Sequence, residues 1–132
     1  NLQMATLLLD SGLVIRHLRR HQPTVQLLRG LGRMEFLSIS TVTRAEVHAG
    51  MLPDERYATQ KLLARFVNFP VERSIADLAG DLIARNTIPG LALPDAIIAA
   101  TALTHHLTLI TYNARHFVDI AGLSLYPTLQ QE

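Results

Sequence analysis

Apolar and polar positions alternate along the chain between short runs and longer helical stripes. Thr6 to Leu9 is an apolar run that ends at Asp10-Ser11-Gly12, which predicts a buried strand followed by a turn. Leu13 to Arg20 then reads as a helix with Arg16, Arg19 and Arg20 on its exposed side. Pro23 opens a further helical stretch to about Leu31, closed by Gly30 and Gly32. Phe36 to Ile39 is a second strand. Ser40 and Thr41 are good N-caps for a helix running to Gly50, and Thr43 to Glu46 has capping-box spacing if that helix starts later. Asp54 to Asn68 is helical, Phe69-Pro70-Val71 a brief third strand, and Ser74 to Asn86 a further helix. Pro94 stands at a helix start, with small residues continuing to His106. Leu107 to Ile110 and Leu123 to Tyr126 are the fourth and fifth strands.

Short buried strands separated by helices predict a three-layer α/β/α fold, a central parallel sheet of about five short strands. With 132 residues the chain is expected to form a single domain over 1–132. Met4 reads as the natural start, with residues 1–3 an extension outside the fold.

Composition narrows the chemistry. There is no cysteine, so disulfides, zinc fingers and a thiolate nucleophile are excluded. This fits a reducing cytoplasm. No apolar run approaches the roughly 20 residues of a membrane-spanning helix. Formal charge is +1, so the overall field selects no partner. Lys61 is the only lysine among twelve basic residues. The arginine bias is a hint toward phosphate contact.

In open parallel sheets, ligands bind beyond the carboxyl ends of the strands. Asp10 follows the first strand, Glu46 lies in the helix after the second, Asp95 sits in the first turn of the helix opened by Pro94, and Asn113 follows the fourth strand. The topology brings these distant points to one rim. Like charges ~4 Å apart repel by roughly 4 kcal/mol at an effective dielectric near 20. Such a cluster takes up protons or a divalent cation. All-oxygen donors suit Mg2+ or Mn2+, whose remaining positions take water and phosphate oxygens. Taken singly, an Asp after a strand is usually a helix cap or turn former and a Glu in a helix usually lies on its solvated face; the joint placement of the three acids and Asn113 is what points to a site.

At these residues the sequence resembles a known family. Leu7 to Ile15, Ile39 to Val47, Leu93 to Ala102 and Leu109 to Phe117 are similar in order and separation to the four motifs of PIN domains, with the likeness running to VapC-type toxins of bacterial toxin–antitoxin pairs. The resemblance implies a Mg2+- or Mn2+-dependent endoribonuclease that leaves 5′-phosphate and 3′-hydroxyl ends. It also implies a homodimer and an inhibiting VapB-like antitoxin. It assigns Asp10, Glu46 and Asp95 to the metal and Asn113 to the catalytic set. His116 stands where many members carry Asp, which puts a second metal site in question. Ser11 and Thr111 offer hydroxyls beside Asp10 and Asn113, for orienting carboxylates or for ordinary turn capping. Arg44, Arg115 and His116 are the further candidates for contact with RNA phosphates. The basic segment around Arg16, Arg19 and Arg20 fits RNA backbone, an acidic antitoxin segment or a solvated face. The competing function is a degenerate PIN-like domain that binds nucleic acid or protein without cleaving.

Overall fold

The computed structural model describes residues 5–33 and 36–127; the expected start at Met4 lies outside them. Five strands, β1 (Ala5–Leu9), β2 (Phe36–Ser40), β3 (Val67–Phe69), β4 (Thr108–Ile110) and β5 (Ser124–Leu125), form one sheet in the order β3-β2-β1-β4-β5. Every neighbouring pair is parallel. Six helices connect them: α1 (Ser11–Leu18), α2 (Gln22–Gly32), α3 (Thr41–Gly50), α4 (Arg56–Leu63), α5 (Arg73–Ala84) and α6 (Leu93–His105).

Alternate side chains of the central strand enter two separate cores. Leu8 and its register partner Leu109 pack with Ile75 and Ala79 of α5 and with Ile98, Ala99 and Ala102 of α6. Leu7 and Leu9 pack on the other face with Leu13, Val14, Leu28, Leu62 and Leu63 from α1, α2 and α4. This is the expected three-layer α/β/α arrangement. The runs are apolar without alternation because both sheet faces are covered. Among the described residues no helix is long and apolar enough to cross a membrane.

Several boundaries differ from the pattern-based reading. No turn separates β1 from α1. Asp10 caps the helix directly, Oδ1 accepting the Ser11 N–H at 2.8 Å, and Ser11 is already helical. The helix expected through Asn68 stops at Leu63. Asn68 instead pairs with Ile39, within a β3 that ends before Pro70 and not after it. Proline has no N–H to donate to a ladder, and it favours extended backbone in the residue before it. Ser40 caps α3, accepting the Val42 N–H at 3.1 Å, so Thr43 and Glu46 form no capping box and both side chains are released for other partners. Arg16 does not share the exposed face of Arg19 and Arg20: its guanidinium carbon lies 4.3 Å from the centroid of the Tyr112 ring. There the cation is partly desolvated against an aromatic face.

Candidate metal and phosphodiester site

The strand order places the chain's change of direction between β1 and β4. β2 and β3 build outward on one side, β4 and β5 on the other. Beyond their carboxyl ends lies the crevice where sheets of this kind bind ligands. Asp10 leaves β1 at this point, and its N–H donates to the Ile110 carbonyl of β4 at 3.0 Å. Thr111 is the first residue past β4. Its hydroxyl donates to Asp10 Oδ2 at 2.6 Å and accepts the Asn113 N–H at 2.9 Å. Asp10, Ser11 and Thr111 are all buried.

Glu46 approaches from α3. Ser11 Oγ donates to its Oε1 at 2.6 Å and stands 2.9 Å from Thr43 Oγ1. Thr43 is fully buried and was not among the expected site residues. Its signal in the sequence is its position three residues before Glu46, which puts both on one helix face. Asp95 comes from the first turn of α6, half-buried, with Oδ2 3.7 Å from His116 Nδ1. His116 and Arg115 belong to a single 3-10 turn, residues Ala114–His116, whose N-cap position is Asn113.

The electrostatics tie the acids together. Burial raises the Asp10 carboxyl above its ordinary value. The Thr111 and Ser11 hydrogen bonds oppose that rise, the charge of Asp95 adds to it, and His116 gives the smallest relief. Asp95 is likewise raised, by burial first and by Glu46, against the pull of His116. Asp95 thus senses both other carboxylates and stands electrostatically between them. The donor set is all oxygen and anionic, which fits a hard divalent cation. Among the described residues, however, no three His, Asp or Glu side chains form a ready-made metal-holding group as they stand.

The remaining candidates divide. Ser11, Thr111, Asn113 and His116 are linked to the acids by the contacts above. Arg115 is exposed on the same 3-10 turn as His116. Arg44 is half-buried, and its Nη1 donates to Asn68 Oδ1 at 3.0 Å, bracing α3 against β3. Asn68 also donates to the Phe66 carbonyl at 2.8 Å, so this brace continues into the turn before β3.

Fold and site together define a three-layer α/β domain with an acidic crevice at the switch point of a parallel sheet. The PIN domain family model matches residues 7–123, and the chain belongs to that family. It is 37% identical to Ribonuclease VapC10 of Mycobacterium tuberculosis over 113 residues, 84% of this chain and 85% of the relative. It is 31% identical to Ribonuclease VapC19 of the same organism over 126 residues, 93% of this chain and 96% of the relative. A toxin–antitoxin complex from Klebsiella pneumoniae superposes with a TM-score of 0.76 at 30% identity, covering 89% of this chain and 95% of that one. The fold is also that of the DNA-bound VapBC from Salmonella typhimurium, with a TM-score of 0.80 at 21% identity over 93% and 98% of the two chains.

Proposed function

We propose that this chain is an endoribonuclease dependent on Mg2+ or Mn2+ and the toxin half of a toxin–antitoxin pair. The observation that carries the reading is the convergence of the acids: buried Asp10 and half-buried Asp95 interact at the switch point, and burial is the first cause that raises the carboxyl of each. Carboxylates held in that condition are stabilised by a counter-charge. Asp10, Glu46 and Asp95 would hold the cation, with Asn113 beside them. A divalent ion bound there supplies Lewis acidity toward a phosphodiester oxygen and lowers the pKa of a coordinated water.

The chain's own groups do the rest. Thr111 holds Asp10 Oδ2 toward the β4 end of the crevice, and Ser11 holds Glu46 Oε1. His116, beside Asp95, is placed to contact a phosphate or the leaving oxygen. Exposed Arg115 follows the same turn and suits bidentate phosphate contact. Arg44 contributes through guanidinium N–H groups beyond the one given to Asn68. The relatives named as ribonucleases and the antitoxin-bound neighbour support RNA as substrate and a VapB-like protein as inhibitor. A homodimer acting in the cytoplasm completes the proposal.

The test is cleavage of RNA by the purified chain with Mg2+, with EDTA, and with the Asp10→Asn variant. Both EDTA and the substitution are expected to abolish cutting. Equal rates for parent and Asp10→Asn would refute the assignment. One observation favours a second reading, a binding module without catalysis: His116, whose imidazole is a poor ligand for a hard cation, stands 3.7 Å from Asp95 where many members of the family carry a further acid. Mn2+ calorimetry separates the two, since a non-catalytic module of this kind takes up no ion and is indifferent to Asp95→Ala.

A further inference from the structure

A threonine inside a helix ordinarily donates its hydroxyl back to the carbonyl four residues earlier. Thr101 in α6 does this, giving its proton to the Ile97 carbonyl at 2.7 Å. Thr43 is just as buried but stands in the first turn of α3, where the residue four earlier, Ile39, belongs to β2, and its hydroxyl has another partner. Its Oγ1 lies 2.9 Å from Ser11 Oγ, on a different helix and 32 residues away in sequence.

Each hydroxyl has one proton to give. That of Ser11 is directed to Glu46 Oε1 at 2.6 Å. Ser11 cannot turn that proton toward Thr43 without giving up its bond to Glu46 Oε1. The 2.9 Å contact is therefore made with the proton of Thr43. The chain of bonds runs in one direction, Thr43 to Ser11 to Glu46.

We infer that Thr43 is a positioning residue for Glu46: by occupying the acceptor side of Ser11 it holds that hydroxyl in the orientation that pins Glu46 Oε1, leaving Oε2 outside the relay. Thr43 acts through Ser11 and touches neither cation nor RNA. The inference rests on the reading of Glu46 as a cation-holding carboxylate. Groups that orient such carboxylates typically change metal affinity by about 10- to 100-fold when lost. Thr43 stands one bond further back, so the low end, about 10-fold, is expected.

Thr43→Val keeps the shape and removes the hydroxyl; Thr43→Ser keeps the hydroxyl. Mn2+ affinity is measured by calorimetry on the full chain, together with the rise in melting temperature that saturating Mn2+ produces over EDTA. Thr43→Val is expected to bind Mn2+ about 10-fold more weakly and to lose part of the Mn2+-induced rise, and Thr43→Ser to restore both. A packing role alone would lower the melting temperature equally with and without Mn2+ and leave affinity unchanged, which overturns the inference. Should Thr43→Val fail to fold, the hydroxyl proton of Thr43 in the parent decides. An exchange-protected resonance with a cross-peak to the Ser11 β-protons is expected, and rapid exchange overturns the relay. If the parent itself binds no Mn2+, the metal-site reading falls and the relay's purpose with it. Equal binding by parent and Thr43→Val removes the relay alone.

Discussion

Thr111→Val tests how the crevice is held. The substitution deletes a hydroxyl that donates to Asp10 Oδ2 at 2.6 Å and accepts the Asn113 N–H at 2.9 Å, and the nearly equal size of valine leaves no cavity. A hydrogen bond to a charged group contributes about 1.5–3 kcal/mol. The half-buried Asn113 N–H, stripped of this acceptor, adds on the order of 1 kcal/mol. Together the loss is about 2–4 kcal/mol. For a domain of this size each kcal/mol moves the melting temperature by roughly 3–5 °C, so a fall of about 6–20 °C is expected by circular dichroism in EDTA. The pH dependence identifies the cause. The Thr111 bond favours ionised Asp10, whose carboxyl is nonetheless raised above 3.8 by burial. The stabilisation it gives is therefore present above the folded pKa of Asp10 and lost as pH falls through it. The penalty of Thr111→Val should be larger at pH 8 than at pH 4, and Thr111→Ser should remove most of it. A shift below about 2 °C, or one equal at both pH values, would refute the reasoning.

Three further outcomes follow from the same geometry. Asp10 and Asp95 are both raised above 3.8, so their favourable contribution to stability is complete below that pH and is lost as pH rises through their folded values. In EDTA the double variant Asp10→Asn/Asp95→Asn should show a flatter stability profile above pH 3.8 than the parent, and an equally steep one contradicts this. His116, 3.7 Å from Asp95, helps keep that carboxyl ionised, so His116→Ala should move the acid limb of the cleavage profile to higher pH; no movement, or movement downward, rejects the pairing. Leu8→Ala, at a fully buried position facing α5 and α6, should cost about 2–5 kcal/mol in urea unfolding, and a loss under 1 kcal/mol would place the core elsewhere.

Much of the site was legible in the linear pattern. An apolar run ending in Asp10, and the acid Asp95 just after Pro94, carry local signals, because strand ends and helix starts have recognisable chemistry. Asn68 was not legible: the stretch before it is rich in helix formers, and only pairing with Ile39 of β2 draws it into a strand. Tertiary pairing overrode local preference there, as it often does for short strands. Arg16 shows the same limit, since its helix position looked solvated until Tyr112, far along the chain, covered it.

The order of apolar runs and helical stripes by itself determined a parallel sheet covered on both faces, because period and run length are local properties of the chain. It also determined that Asp10, Asp95 and Asn113 fall at element boundaries, and so at one edge of such a sheet. Which groups touch was decided only by the tertiary structure. The strand order set β4 beside β1 and thereby brought Thr111 onto Asp10, 101 residues apart. The seating of α3 against α1 brought Thr43, Ser11 and Glu46 into one directed chain of hydrogen bonds. Hydrogen bonds act over about 3 Å, and no regularity along a sequence specifies a distance that short between residues so far apart.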